Sequence, residues 1–279
     1  MAIQILEPPP SLRQFVTRYW YYEETQHSDL KSTIRILPTG APGIIFQHSN
    51  GRSKVFDPLG SPLPVSFVHG QATKPCLNQI TDKTFVFGID LKPSALKTFF
   101  RIDASELTNS VVALEELLGH GINDQLLHAG PPAQLSDLFS SSLRRLAGSA
   151  NPDPLFESCL KLVKDEIDTI RPGMLPASLH ISQRQFQRIF KQNIGLKAET
   201  WLRILKFQQA LQMLKSFQYQ KMSDIAYNLG YTDPSHFIRT FKDFSGYTPG
   251  QFLRVVTKRQ PFQPTMDYPL KPLRILTEG

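Results

Sequence analysis

A pattern of apolar and cationic positions occurs twice towards the C-terminal end of the chain. When residues 182–203 are aligned with residues 233–254, 7 of 22 positions are identical at an offset of 51 residues. Phenylalanines four residues apart share one face of a helix, while the arginine and the lysine of each copy fall towards the other face. Each copy therefore predicts a short helix with an apolar back and a cationic front. The identical pairs are Phe186/Phe237, Arg188/Arg239, Phe190/Phe241, Lys191/Lys242, Gly195/Gly246, Leu202/Leu253 and Arg203/Arg254.

The residues before each copy predict a preceding helix and a tight turn. Leu179 matches Leu229 at an offset of 50 residues, so the one-residue change of offset falls inside the turn. Ser182 in the first copy, and Thr232 or Asp233 in the second, can cap the next helix, because their oxygens accept from its free N–H groups. A helix, a turn and a capped second helix form a helix-turn-helix motif.

The N-terminal half has a different pattern. Short β-like runs, separated by glycine and proline, predict strands at residues 33–37, 43–47, 65–69 and 85–91 and favour a small β-barrel or sandwich. The apolar stripe Phe15, Tyr19 and Tyr22 predicts a helix over residues 12–22. Further helices are predicted at residues 93–100, 111–118, 123–127 and 132–146.

The predicted fold is an α+β N-terminal domain followed by an all-α domain of two helix-turn-helix modules joined by a linker helix. The N-terminal domain spans residues 1–147, and the small, proline-rich segment 148–154 is a linker. The double module spans residues 155–256, including helices at 155–171 and 197–215, and residues 257–279 form a proline-rich tail.

Charge divides the chain in the same way. The whole sequence carries a formal net charge of +7. Residues 1–145 hold 13 basic and 13 acidic groups, whereas residues 171–260 hold 14 basic and 4 acidic groups, a net of +10. A basic surface confined to one domain favours a polyanionic partner, with an anionic membrane or a plain solvated face as alternatives.

Candidate chemistry is sparse in this sequence. Cys76 and Cys159 are too few and too far apart to suggest a disulfide framework. His48 and His69 lie on separate predicted strands, without acidic residues at ligand-like spacing, so structural or surface roles are expected. We predict no catalytic residues, no cofactor and no metal. The absence of an apolar run of about 20 residues predicts no membrane span and a cytoplasmic protein.

The second copy resembles the AraC-type, or arabinose-regulator-type, bacterial transcription factors. The similarity lies in residues 224–242, DIAYNLGYTDPSHFIRTFK, and in residues 246–249, GYTP. It extends over about residues 155–256. The order of features in residues 1–147, including LPTG at 37–40, HGQ at 69–71 and GIDLKP at 88–93, is similar to a poorly characterised sensor-like domain found ahead of such modules.

The resemblance implies that the exposed faces of two recognition helices approach base edges. Arginine can donate twice to guanine, and glutamine can pair with adenine, which suits this role. Lys191 and Lys242 are expected to meet phosphates or solvent. Pro176 stands where the second copy has Ala226, which predicts that the first helix of the first module starts late. The implied DNA-binding residues are Arg184, Gln187, Arg188, Lys191, Pro234, Ser235, His236, Ile238, Arg239 and Lys242.

The resulting hypothesis is a sequence-specific transcriptional regulator that binds double-stranded DNA. Its N-terminal domain is expected either to bind a small-molecule effector or only to form a homodimer, and RNA polymerase is an expected partner. Two alternatives stay open at this point. One is a nonspecific nucleic-acid-binding protein, and the other is a metal-dependent β-barrel enzyme with a helical appendage.

Overall fold

The computed structural model describes residues 3–23, 32–148, 153–165, 167, 172–216 and 219–258. The predicted linker at 148–154 and the predicted tail at 257–279 lie largely outside these residues. The described strands are β1 Gln4–Leu6, β2 Val16–Glu23, β3 Ser32–Ile36, β4 Gly43–His48, β5 Val55–Phe56, β6 Ser66–His69, β7 Cys76–Ile80, β8 Phe85–Leu91 and β9 Val111–Ala113. The described α-helices are α1 Ala95–Phe100, α2 Leu114–Leu118, α3 Ile122–His128, α4 Pro132–Ala147, α5 Pro154–Asp165, α6 Leu175–Ser178, α7 Gln183–Ile194, α8 Ala198–Ser216, α9 Met222–Asn228, α10 Pro234–Ser245 and α11 Pro249–Lys258.

Two antiparallel sheets organise the N-terminal domain, which confirms the α+β fold class. The larger has the strand order β1-β2-β8-β4-β6-β9, and the smaller has the order β3-β7-β5. Residues alternate between the two faces of the larger sheet. Ile44 and Phe46 of β4 pack in the cluster that includes helices α1 to α4, while Ile45 packs in a second cluster on the other side. Helices therefore cover one face, and the smaller sheet faces the other.

The predicted helix over residues 12–22 is wrong. A 3₁₀ turn, Pro10–Leu12, leads into strand β2, which pairs with both β1 and β8. Because both faces of β2 are covered, Tyr19 and Trp20 are both buried although they point to opposite sides. A strand buried on both faces lacks strict alternation, so its aromatic residues produced a false helical spacing.

The four predicted strands are present as β3, β4, β6 and β8. Among the described residues, five further strands were not predicted: β2 and β9, which were predicted as helices, the short β1 and β5, and the mixed-polarity β7. The predicted helix at 111–118 is correct only from Leu114, because Val111–Ala113 forms β9 and pairs with β6. The pair Val111 and Val112 is β-branched, a composition that favours extended backbone.

The C-terminal helices form two helix-turn-helix modules, as predicted. The helix predicted at 197–215 is α8, while α5 ends at Asp165 and so is shorter than the predicted 155–171 within the described residues. A 3₁₀ turn, Pro172–Met174, precedes α6, and Pro176 lies in the first turn of α6. The late start is confirmed, because proline is tolerated only where its missing N–H would have no helical partner.

Candidate nucleic-acid interface

The first recognition helix is α7. Ser182 caps it, since its hydroxyl accepts a hydrogen bond of 3.2 Å from the Gln185 N–H. Phe186 and Phe190 are buried in the core of the helical domain. The predicted DNA-binding residues Arg184, Gln187, Arg188 and Lys191 are all exposed on this helix, and no hydrogen bond or ion pair within the described residues engages their side chains.

The second recognition helix is α10. Asp233 caps it by accepting a 2.9 Å hydrogen bond from the Ser235 N–H. That backbone hydrogen bond, with smaller contributions that include Arg239, lowers the pKa of the Asp233 carboxyl from its ordinary value. Pro234 is half-buried in the first turn. The other predicted residues on this helix, Ser235, His236, Ile238, Arg239 and Lys242, are exposed.

Arg239 is accessible although it lies near an acidic neighbour. Its guanidinium is 3.9 Å from the Asp233 carboxylate, but 75% of its side chain and 52% of the aspartate side chain are exposed. A long, exposed ion pair of this kind contributes little to stability and exchanges readily with water. Arg239 can therefore turn towards another acceptor at small cost.

Helix α8 connects the two modules. Its 19 residues span about 28 Å at a rise of about 1.5 Å per residue. Trp201, Leu205, Ala210 and Leu214 are buried, and burial continues around most of the helix. One side packs in the helical domain, and another side contacts the N-terminal domain, so an amphipathic pattern is not expected for α8.

The loop after β3 makes that contact. The carbonyl oxygen of Gly40 accepts a 2.8 Å hydrogen bond from the indole Nε1–H of Trp201. The carbonyl oxygen of Pro38 accepts another from the side-chain amide of Gln208. Leu37 is 5% exposed and packs in the hydrophobic core of the helical domain. The N-terminal domain therefore holds the linker helix directly.

The N-terminal domain also contacts the C-terminal ends of both recognition helices. The Thr108 hydroxyl donates a 2.9 Å hydrogen bond to the carbonyl oxygen of Gly195, which ends α7. Arg35 donates to the Ser245 carbonyl oxygen at 3.2 Å and to the Tyr247 hydroxyl at 3.3 Å. Its guanidinium carbon also lies 4.6 Å from the centre of the Tyr247 ring. Sequence reasoning missed these contacts, since neither Arg35 nor Thr108 lies in a recognisable motif.

A cavity of about 760 Å³ lies in the N-terminal domain, lined by residues of both sheets. It is a second candidate site, and no sequence motif pointed to it. Its apolar wall includes Ile34, Ile45, Leu63 and Phe67. This size lies within the range of small-molecule sites.

The structure does not bring the two candidate metal ligands together. Gly43 pairs with His69 at one end of β4, and His48 occupies the other end, so about 17 Å of strand separates them. Among the described residues, no group of three or more His, Cys, Asp or Glu side chains could hold a metal ion. Burial raises the pKa of the Cys159 thiol to about 12, which keeps it protonated. None of the described helices is long and apolar enough to cross a membrane.

Two repeated helix-turn-helix modules with exposed cationic recognition helices define a double helix-turn-helix protein of the DNA-binding class. Residues 175–254 match the family described as "Helix-turn-helix domain", and residues 4–113 match a family described as "Domain of unknown function (DUF6597)". The C-terminal part of the chain is an AraC-type helix-turn-helix domain, as the sequence predicted.

Two curated relatives match parts of the chain. An uncharacterized HTH-type transcriptional regulator of Haemophilus influenzae is 34% identical over 77 residues, which are 28% of this chain and 26% of the relative. The uncharacterized transcriptional regulatory protein YesN of Bacillus subtilis is 25% identical over 134 residues, or 47% of this chain and 34% of the relative. The chain thus spans about a quarter to a third of the length of these relatives, both of which are named as regulators rather than enzymes.

One solved structure is also similar to this chain. The crystal structure of ToxT from Vibrio cholerae is 16% identical in sequence, with a TM-score of 0.46. The match covers 86% of this chain and 98% of that chain.

Proposed function

We propose that the chain is a transcriptional regulator that binds a specific DNA duplex through α7 and α10. The observation that carries this proposal is the repeated exposed face: Arg188 and Lys191 on α7 recur as Arg239 and Lys242 on α10. The length of α8, about 28 Å, is close to the roughly 34 Å between successive major-groove faces on one side of B-DNA. One chain can therefore present both helices to adjacent grooves.

The residue types support a division between base and phosphate contacts. Arg184, Gln187 and Arg188 on α7 can donate to base edges in the major groove. Ser235, His236 and Arg239 have the same role on α10, with Pro234 and Ile238 offering apolar contact. Lys191 and Lys242 supply the point charges that neutralise phosphates, which strengthens binding to any duplex and makes it salt-dependent.

The N-terminal domain supports effector control. Its cavity can hold a small molecule, and its contacts with α8, Gly195 and Ser245 tie it to both recognition helices. An effector would act by changing the population of arrangements of the two modules. RNA polymerase as a partner, a homodimer and a cytoplasmic location stay predictions.

Titration of the full chain with a fluorescent duplex tests the proposal. A specific regulator shows both steep salt dependence and preference for its own site over scrambled competitors, whereas a nonspecific protein shows salt dependence alone. The double variant Arg188→Ala/Arg239→Ala should lose the preference. Arg52→Ala/Lys83→Ala, which removes two exposed charges of the N-terminal domain, should retain it. Equal binding to all duplexes by the unmodified chain would refute the proposal.

A further inference from the structure

The cavity of the N-terminal domain has mostly apolar walls. They come from β3, β4, β5, β6 and β8 and from the loop before β6. An apolar wall favours a ligand that buries hydrocarbon or aromatic surface. The apolar residues that line the cavity include Ile34, Ile36, Ile45, Val55, Leu63, Phe67 and Val86.

Two glutamines that line this cavity have unsatisfied acceptors. Gln47 and Gln71 are each 1% exposed. Their amide nitrogens are engaged: Gln47 donates to Ser53 at 2.7 Å and to Pro64 at 3.0 Å, and Gln71 donates to Gly40 at 2.9 Å. Neither Oε1 atom has a hydrogen-bond partner among the described residues. A buried acceptor without a partner is costly and uncommon, so a donor from a ligand would be favoured here.

The cavity favours an uncharged ligand. Burial lowers the pKa of His69, which lines the wall, so this imidazole is neutral near pH 7. Asp57 and Lys74 are the charged residues of the described lining. Lys74 is exposed, and the Asp57 carboxylate already accepts from the N–H groups of Leu59 and Ser61. A ligand ion would therefore lose its hydration without gaining a buried counter-charge.

Gln71 connects the cavity to the linker helix. The Gly40 carbonyl oxygen accepts from the Gln71 amide at 2.9 Å and from the Trp201 indole at 2.8 Å. The Gln71 Oε1 atom is inaccessible to solvent in this arrangement. A ligand donor can reach it when the amide turns towards the cavity, and the same turn withdraws the amide N–H from Gly40.

We propose that the cavity binds an uncharged, mostly apolar molecule carrying at least one N–H or O–H group, and that Gln71 accepts its hydrogen bond and releases Gly40. The released loop residue is the one that holds Trp201 of α8, so cavity occupancy is transmitted to the linker between the two DNA-binding modules. This proposal adds a ligand class and a route of coupling to the effector control proposed above. It rests on the proposed regulator function only for the last step, from α8 to DNA.

The first test uses two probes with the same apolar body. 2-Naphthol carries one O–H donor, and 2-methoxynaphthalene carries none. Calorimetric titration of the full chain without DNA should show about 3- to 10-fold tighter binding of 2-naphthol, the range expected for one hydrogen bond. Equal affinities, or no binding of either probe, would overturn the proposal.

Variants identify the residue that accepts the hydrogen bond from the O–H group of 2-naphthol. Gln71→Met keeps the length of the side chain and removes the amide, so it should abolish most of the difference between the two probes. Gln79→Met is the matched control, because Gln79 is exposed on β7 and does not line the cavity. It should retain the difference. A Gln71→Met protein with the full preference for 2-naphthol would refute the assigned role of Gln71.

The second test follows the indole N–H signals of Trp20 and Trp201 by NMR of the full chain, assigned with Trp201→Phe. Trp20 packs with Ile45, Phe67 and Val86 of the cavity wall, so its signal reports occupancy. Saturating 2-naphthol should shift both signals, and saturating 2-methoxynaphthalene should shift Trp20 alone. The comparison of the two probes uses the unmodified chain, and Trp201→Phe serves only to assign the two signals. An unmoved Trp201 signal in the cavity filled with 2-naphthol would overturn the coupling.

These measurements contain no DNA, so they separate the two proposals. Loss of sequence preference in the duplex titration would refute the regulator and leave the cavity result standing. Failure of the probe experiments would remove the cavity ligand and leave DNA binding intact.

Discussion

Gly195 and Gly246 occupy equivalent positions in the two repeats, and both lie against the N-terminal domain. They end α7 and α10 with left-handed backbone, at φ values of 85° and 78°. A Cβ atom on Gly195 would lie 2.5 Å from the Ala104 carbonyl oxygen, and one on Gly246 would lie 2.5 Å from an Arg35 nitrogen. One domain thus braces the same point of both recognition helices.

Gly195→Ala should destabilise the chain through both strain and contact. Left-handed backbone costs a non-glycine residue about 1–2 kcal/mol. Displacing the Ala104 backbone should add at least about 1 kcal/mol. Gly60→Ala is the matched control, because Gly60 has a φ of 85° and nothing within 4 Å of its added Cβ. Urea titration should give a larger loss of unfolding free energy for Gly195→Ala. Equal losses would show that the contact with Ala104 is unimportant.

Arg35 and Tyr247 should be energetically coupled across the domain interface. Their hydrogen bond and cation–π contact should give a coupling of about 1 kcal/mol. A double-mutant cycle of Arg35→Met and Tyr247→Leu measures this coupling, since effects of each variant alone on the rest of the interface cancel. If the losses of unfolding free energy in the two single variants add up to the loss in the double variant, the two residues are not coupled and the bracing role is contradicted.

The variant Arg239→Ala distinguishes a base contact of Arg239 from a phosphate contact. If Arg239 contacts a base, the change should cost about 1–3 kcal/mol on the preferred duplex and relax preference at one position. Lys242→Ala, one turn along the same exposed side, should weaken binding to all duplexes and reduce the salt dependence. Anisotropy titrations at several salt concentrations measure both quantities. If Arg239→Ala weakens binding to all duplexes equally, Arg239 contacts phosphate and not a base.

Stability should fall as the pH falls below about 6.5, the ordinary pKa of histidine. Burial lowers the pKa values of His48 and His69, so in this range the unfolded chain binds more protons than the folded chain. The stabilisation from the two neutral histidines is complete above the pKa of histidine in the unfolded chain. It is lost as the pH falls towards the lower pKa values of His48 and His69 in the folded chain. Melting temperatures of His69→Gln should therefore depend less on pH than those of the parent. An unchanged pH dependence would show that His69 does not contribute.

The recognition helices could be predicted because their signals are local. Phe186 and Phe190 share a face through their spacing, and Ser182 caps α7 through atoms three residues away. Strand β2 could not be recognised from periodicity because its two faces are both buried. The exposure of the ten predicted DNA-binding residues is now known, but their contacts with DNA stay predictions.

The contacts between the two domains could not be predicted from the sequence. Gly40 and Trp201 are separated by 161 residues, and Gln71 lies 31 residues from Gly40. The pattern of apolar residues indicates that Trp201 is buried but does not identify the acceptor of its indole N–H. Such a partner becomes visible only when the sheets and α8 are placed together.

Selection of the full chain on a random duplex library at near-physiological salt tests the central claim most directly. If α7 and α10 both read bases, the enriched duplexes should share two sequence blocks about one helical turn, or roughly 10 base pairs, apart. In Arg239→Ala, the block read by α10 should weaken while the other is retained. Enrichment of duplexes with no shared sequence, together with equal binding of scrambled competitors, would contradict recognition of a specific site.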